Sequence, residues 1–507
     1  VNDLQKITKA DVVAFANKYL GDNYVAVYKK KGERTNVEKI EKPAITPVET
    51  NADKQSAFVK MINDMPSTPV EPLFLDYNKD IQKSKLGKAE VLAVQNKDND
   101  LFRLSFRYKI GTFNDLKMGL AAQYIQFLGT DKKSAEQISK DFYKIASSFR
   151  VSTGEDYTYV NIEGLQENFA AAVALYEDLV SHVKLDEEAL KSLKARMAKY
   201  RTDVKANRNQ IMQALTSYAL YGAKNKYNHV LSNAELEATS AAELVDRLKK
   251  LNDVEQTIIY YGPASISELT KQLGKLHKVP AKFAKVPQAQ QFKQETQTKN
   301  TVLFTDYEMV QAETRWVRNT DTYNPAETTT IRVFNNYFGG SMGSLVFQTI
   351  RESKALAYST YGMYRTPRKK DEKYYMLAYV GAQADKLKEA VSTMDDLLTT
   401  MPELPANLDL AKAQLKKDIQ TERISQDDII YNYLNAKELG LTKDIRKEIY
   451  QNLDKITMSQ VKAFHDKYLS KKPYTYVILA SEKKLSKEEL QKIGEFKKLT
   501  LEELFGY

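Results

Sequence analysis

The residues that could do chemistry in this 507-residue chain are few. It has no cysteine and four histidines, His182, His229, His277 and His465. Without thiols there is no disulfide, thiolate metal site or cysteine nucleophile. The histidines are scattered, and no two stand at the local spacing of a zinc site. His182 reads as a helix cap ahead of Asp186, Glu187 and Glu188, and the other three as structural or surface residues. One segment stands out, Asn335 to Ser359. Gly339, Gly340 and Gly343 allow a tight turn and close backbone approach. Ser341 or Ser344 is placed to cap a helix whose apolar stripe is Val346, Phe347 and Ile350. Arg351 and Tyr358 follow, seven residues apart, on one helix face if the helix continues. From the residues alone this pair fits a structural role, binding a carboxylate and capping the helix. The glycine turn is neither a dinucleotide nor a Walker signature, since Gly-x-Gly-x-x-Gly and Gly-Lys-Ser/Thr are both missing.

The elements that must position these residues repeat along the chain. Ile7 to Val12 leading to Lys18-Tyr19-Leu20 is matched by Ile456 to Val461 leading to Lys467-Tyr468-Leu469. A looser copy starts at Thr239. Each copy reads as a Thr-capped amphipathic helix followed by a β-rich run: Tyr24 to Tyr28, Thr257 to Tyr261, Tyr474 to Leu479. Gly129-Thr130 matches Gly339-Gly340, and Asp178-Leu179 matches Asp396-Leu397. Two opening hairpins are expected, Ala89 to Ala93 with Leu101 to Tyr108, and Thr301 to Thr305 with Met309 to Arg318. Trp316, on the last of these strands, reads as core. A Pro-rich stretch with Pro43, Pro47, Pro66, Pro69 and Pro72 reads as a connector around one short helix, Ser56 to Met65. The expected organisation is α+β. It comprises the closing helix and strand of a preceding unit (1–33), a connector (34–78), and two tandem homologous units of about 220 residues (79–285 and 286–507).

Composition excludes other classes. Hydrophobic residues make up 42% and charged residues 28%, and the net charge is +10. Acidic residues interleave with the basic ones, so the excess reads as a solvated surface. No stretch is apolar enough to span a bilayer. The 32 tyrosines beside a basic balance raise base stacking, but no RNA-binding signature accompanies them, and nucleic acid is not an expected partner.

The segment Gly339-Gly340, Leu345 to Gln348, Arg351-Glu352 and Leu356 to Ser359, taken with the repeat, resembles the pitrilysin and insulinase type zinc metallopeptidases. Mitochondrial processing peptidases belong to the same superfamily. The resemblance covers essentially the whole chain. It implies processing-peptidase-like α/β sandwiches, each a mostly antiparallel sheet with helices packed on it. It also implies two homologous halves enclosing a chamber. The first unit of such a protein carries an inverted zinc motif, His-x-x-Glu-His, with a distal Glu; the last supplies an Arg and a Tyr that hold the substrate backbone. Arg351 and Tyr358 match that pair, and the resemblance implies that they and the Gly339-Gly340 turn beside them bind substrate, whereas Ala355 stands where many relatives have Gly.

The resemblance also shows what the chain lacks. Leu120 and Tyr124 occupy the two histidine positions and Gln123 the glutamate position ahead of Gly129. No glutamate lies between Glu188 and Glu235 to act as the distal ligand. Two apolar or aromatic side chains and an amide cannot build a His/His/Glu zinc site. The chain is therefore expected to be the C-terminal, non-zinc-binding half of a metalloendopeptidase. Its expected partners are peptide substrates and an N-terminal half that carries the zinc. The alternative is a metal-free scaffold subunit that only pairs with another chain. The absence of cysteine fits an oxidising compartment such as a periplasm.

Overall fold

The structure, a computed structural model, describes residues 3–30, 32, 56–66, 68 and 70–507. The chain divides into Val1–Pro69 and Val70–Tyr507. In the first unit the Thr8 hydroxyl accepts from the Asp11 N–H while the Asp11 carboxylate accepts from the Thr8 N–H. This reciprocal box fixes the start of the Lys9–Tyr19 helix. A short helix, Ala57–Asn63, lies further on. Residues 24–28, expected as a strand, form no regular element and no ladder among the described residues of that unit. Residues 33–55, which include about half of the expected connector, lie outside the described residues. From Val70 the chain belongs to the second unit. There the Leu75 N–H donates to Asp444 Oδ2 (3.0 Å), and Tyr77 is buried with its hydroxyl donating to Asn432 Oδ1.

The second unit holds two six-stranded sheets, one per body. The first body contains β1 (Gln82–Leu86), β2 (Ala89–Gln95), β3 (Leu101–Tyr108), β4 (Ser148–Thr153), β5 (Thr158–Leu165) and β6 (Gln256–Gly262), in the order β1-β2-β6-β3-β5-β4. The second contains β7 (Thr301–Asp306), β8 (Gln311–Thr322), β9 (Ala357–Arg365), β10 (Lys373–Gln383), β11 (Thr475–Ala480) and β12 (Glu495–Lys498), in the order β12-β7-β11-β8-β10-β9. All neighbours are antiparallel except β2–β6, β7–β11 and β7–β12. The chain is α+β in two tandem units that share five strands in the same order and differ in the sixth, β1 antiparallel to β2 in one and β12 parallel to β7 in the other. The expected opening hairpins, however, do not form. β6 inserts between β2 and β3, and β11 between β7 and β8. Ile258 to Tyr261 and Tyr476 to Leu479 are apolar at every position and buried. A strand that must bury both faces takes the centre of a sheet.

The two burying layers come from different bodies. Ile258 and Tyr260 of β6 face their own body's helices, whereas Ile259 and Tyr261 meet Ile430 and Leu434 of the second body's Asp428–Glu438 helix. In reciprocal fashion, Tyr476 and Ile478 of β11 face inward, and Val477 and Leu479 meet Ile211 and Leu215 of the first body's Arg208–Tyr221 helix. Each fully buried aliphatic side chain in these layers is worth about 1.5–3 kcal/mol. Polar links follow the same exchange. Arg208 Nε lies 2.9 Å from buried Glu313, and Lys369 Nζ 2.7 Å from Asp156.

The capped helices start at their boxes, with one shift. Thr457 caps Met458–Tyr468 reciprocally with Gln460. In the middle copy the cap is Ser240, paired with Glu243, and not Thr239. Thr239 instead donates to the Glu235 carbonyl and closes the preceding turn. Trp316 is fully buried, its indole N–H donating to Asp395 Oδ1 (2.8 Å). Among the described residues no helix is long and apolar enough to cross a membrane.

Candidate functional site

The corner that carries Arg351 and Tyr358 begins at the end of the Thr328–Phe338 helix. Gly339 is buried there against β9. A Cβ on Gly339 would stand 2.3 Å from the Gly362 nitrogen, and one on Gly340 would stand 2.8 Å from the Asn335 carbonyl oxygen. Gly339 therefore sets how closely the helix end approaches the edge strand, and Gly340 how tightly the chain turns off the helix's own last carbonyls. Ser344 donates to the Ser341 carbonyl, closing the turn rather than capping the next helix through its side chain.

That next helix does not continue to Tyr358 as the spacing suggested. It widens into a π-helix over Phe347–Ser353 and stops. The Leu356 N–H returns to the Ile350 carbonyl (2.9 Å), and Ala355 turns the chain with φ 48°. Tyr358 then stands on β9, the outermost strand of its sheet. The pair is brought together by this reversal, not by helical periodicity. The Arg351 guanidinium carbon lies 4.6 Å from the centre of the Tyr358 ring and 4.7 Å from that of Phe347. A cation–π contact of this kind holds a guanidinium without consuming its N–H donors. Among the described residues its one ion pair is with Glu352, through Nε at 3.4 Å. Tyr358 is 79% exposed, and its hydroxyl has no hydrogen bond among the described residues. The corner thus presents several charged N–H donors and a phenol beside the open side of a strand. Phe347, read from the sequence as part of an apolar stripe, is the second wall of the guanidinium slot. The Arg-x-x-x-Ala-x-x-Tyr spacing around a reversal was the signal available for it.

The zinc-motif positions of the first body hold no metal ligand. Leu120 and Tyr124 lie on the helix Lys117–Tyr124 and are buried in the core. The Tyr124 hydroxyl donates to the Asp186 carbonyl (2.6 Å) and accepts from the Asp186 N–H (2.9 Å), and burial pushes its phenol pKa up. Gln123 is exposed and turns back on the Gly119 carbonyl. A tyrosine committed to a backbone clamp and a core leucine do not fit a zinc ion. Among the described residues no group of three or more His, Cys, Asp or Glu side chains is arranged to hold a metal.

The histidines are structural in placement. His182 ends the Phe169–His182 helix beside Asp178. His229 packs edge-on to Phe113 and Phe292. His277 is buried between Glu177 Oε1 (2.7 Å) and Gln256 Oε1 (2.9 Å) and stacks on Phe106. His465 is buried near the Leu397 carbonyl oxygen (3.2 Å), and burial lowers its pKa.

Known proteins share this fold. Residues 121–234 match the profile described as insulinase (peptidase family M16), and residues 251–415 that of the peptidase M16 inactive domain. A relative from Bacillus subtilis (strain 168), the uncharacterized zinc protease YmxG, is 25% identical over 362 residues, covering 67% of this chain and 82% of its own. The peptidase M16 inactive domain from Pseudomonas fluorescens superposes with a TM-score of 0.62 at 17% identity, over 79% of this chain and 98% of its own. The ferredoxin protease FusC, solved in complex with Arabidopsis ferredoxin, superposes with a TM-score of 0.61 at 14% identity. That match spans 94% of this chain and 51% of FusC.

Proposed function

We propose, since the chain belongs to the insulinase (M16) family of peptidases, that it is the substrate-holding C-terminal half of a zinc metalloendopeptidase. The observation that carries this reading is the Arg351–Tyr358 stack, with its donors open beside β9, in a chain whose own zinc-motif positions are Leu120, Gln123 and Tyr124. FusC supports it by spanning about twice the length of the match. Its solution with a bound protein is the basis for expecting peptide or protein substrates here. The zinc belongs to an N-terminal half, and no catalytic residue is assigned to this chain. Arg351 and Tyr358 donate hydrogen bonds to carbonyl oxygens of a bound peptide. A hydrogen bond from a charged donor is worth about 1.5–3 kcal/mol, which is roughly tenfold or more in rate if it is realised in the transition state.

The test is Arg351→Ala and Tyr358→Phe in the enzyme reconstituted with its metal-bearing half. Each is expected to lower kcat/KM for peptide cleavage, by about tenfold or more for Arg351→Ala. An unchanged kcat/KM in both would sink the role. The isolated 507-residue chain is expected to cleave no peptide with zinc present. A second reading, a metal-free scaffold subunit, is favoured by the burial of Leu120 and Tyr124 in the core. It predicts that the reconstituted protein, supplied with zinc, leaves peptides intact.

A further inference from the structure

The open edge of the first body's sheet is a separate feature from the Arg351–Tyr358 corner. β4 pairs only with β5, in unbroken register from Ser148↔Glu163 to Thr153↔Thr158. Alternate backbone N–H and C=O groups along its outer side therefore point away from the sheet. The other edges are blunted. β1 carries Lys83 and Lys85, β12 is four residues long with Lys497 and Lys498, and the register of β9 shifts opposite Gly381/Ala382. Lysines, shortness and bulges are the means by which sheets discourage edge pairing. β4 has none of them, and its one charge is Arg150.

Two cavities open beside the start of β4. On the helix-covered face one of about 380 Å³ is lined by Ile125, Leu128, Ile138, Phe142, Phe149 and Leu179. The other, of about 690 Å³, is lined by Leu101, Arg103, Glu163, Tyr261 and Gln426. Ser148 hydrogen-bonds Glu163 across the strands and so marks the opposite face. Tyr143, Ser147 and Ser148 border both cavities, and Tyr143 is 85% exposed. A strand laid along β4 projects successive side chains to opposite faces, and so drops one into each cavity. Unpaired backbone groups select an extended backbone, while flanking cavities select alternating side chains. Together they are the requirements of strand addition.

We propose that β4 of the first body binds an extended peptide segment as an added strand. It takes an apolar side chain into the Phe142–Phe149 cavity and a polar or charged neighbour beside Arg103 and Glu163. The test uses the full chain and a short fluorescein-labelled peptide of alternating Leu and Ser with terminal lysines. Saturable anisotropy is expected, with slowed amide exchange in residues 148–153 on binding. Tyr143→Ser is expected to weaken binding by about fivefold or more. N-methylating alternate peptide residues is expected to abolish binding in one phase and spare it in the other. No binding, protection confined elsewhere, or equal responses to both methylation phases would overturn the proposal. So would protection of 148–153 through self-association without peptide. The readout involves no cleavage, so it stands or falls independently of the Arg351–Tyr358 reading.

Discussion

The two bodies enter their edge strands in the same way and equip the corner differently. Ala146 and Ala355 both turn the chain at φ 48°, each between a helix and an edge strand. Four residues before the alanine stands Phe142 in the first body and Arg351 in the second; three residues after it stand Phe149 and Tyr358. Phe142 and Phe149 have ring centroids 5.0 Å apart, and Arg351 lies 4.6 Å from the Tyr358 ring. One backbone reversal thus supports an apolar pair in one place and a donor pair in the other. Burial separates them. Phe142 is 3% exposed and belongs to the core, whereas the Arg351 side chain is about a third exposed and the Tyr358 ring stands in solvent. The reversal sets the geometry, and the depth of the corner sets which chemistry it can carry.

Exchanging the chemistry is the strongest way to break this comparison. Phe142→Arg puts a charge into the first core and is expected to cost about 4 kcal/mol or more in urea unfolding. Arg351→Phe should stay within about 1 kcal/mol, since its ion pair is partly solvated. Equal losses at the two sites would erase the distinction. Next in size is Leu215→Ala, in the first-body helix that covers β11. It should cost about 2–5 kcal/mol, and if the bodies depend on each other it should lower the unfolding midpoint of both sheets together. Separate transitions would show them to be independent.

A pH test isolates the second corner, because His465 lies against Phe338 at the end of the helix that meets β9. Its folded-state pKa is lowered by burial. Below about pH 6.5 the unfolded chain takes up a proton that the folded chain refuses. Its contribution is therefore present above that pH and is lost as pH falls towards the folded pKa. The loss is at most about 1.4 kcal/mol per pH unit. His465→Asn should flatten the pH dependence of urea unfolding between pH 7.5 and 5.5, and an unaltered slope would remove the assignment. The smallest effect probes the shared reversal. An alanine in the left-handed region costs about 1–2 kcal/mol, and glycine gives back about 0.5–1 in unfolded-state entropy. Ala146→Gly and Ala355→Gly should each stabilise by less than about 1 kcal/mol, and by similar amounts. Opposite signs would mean that the corners are not equivalent.

Local signals in the sequence placed the capped helices well, because a capping box is read within four residues of itself. Thr8 with Asp11 and Thr457 with Gln460 are such cases. The neighbours of a strand are a different matter. Nothing within Ala89 to Tyr108 says that a strand from residue 256 onward will separate its two halves. That follows from burial on both faces, the second of which is supplied by another body's helix. Arg351 and Tyr358 were legible as neighbours, but the route by which they meet was not. Helical spacing and a reversal at Ala355 both bring residues seven apart together, and the left-handed alanine is visible only in three dimensions. The edge pockets at β4 were not legible at all, since Leu101, Ile125, Phe149 and Tyr261 converge there from distant segments.

The insertion of β6 and β11 has a consequence for synthesis. When β2 through β5 have left the ribosome, the first sheet still has a gap in its middle, between β2 and β3, until residues 256–262 emerge. Closing it brings together segments far apart in sequence, a slow kind of step, and until then β2 and β3 each present an unpaired inner edge. The second sheet repeats the problem, its gap between β7 and β8 closing only with a strand at residues 475–480. A nascent chain of this design carries one incomplete sheet at a time, first one and then the other, so protection of β2 and β3, and later of β7 and β8, by a chaperone would bear directly on its yield.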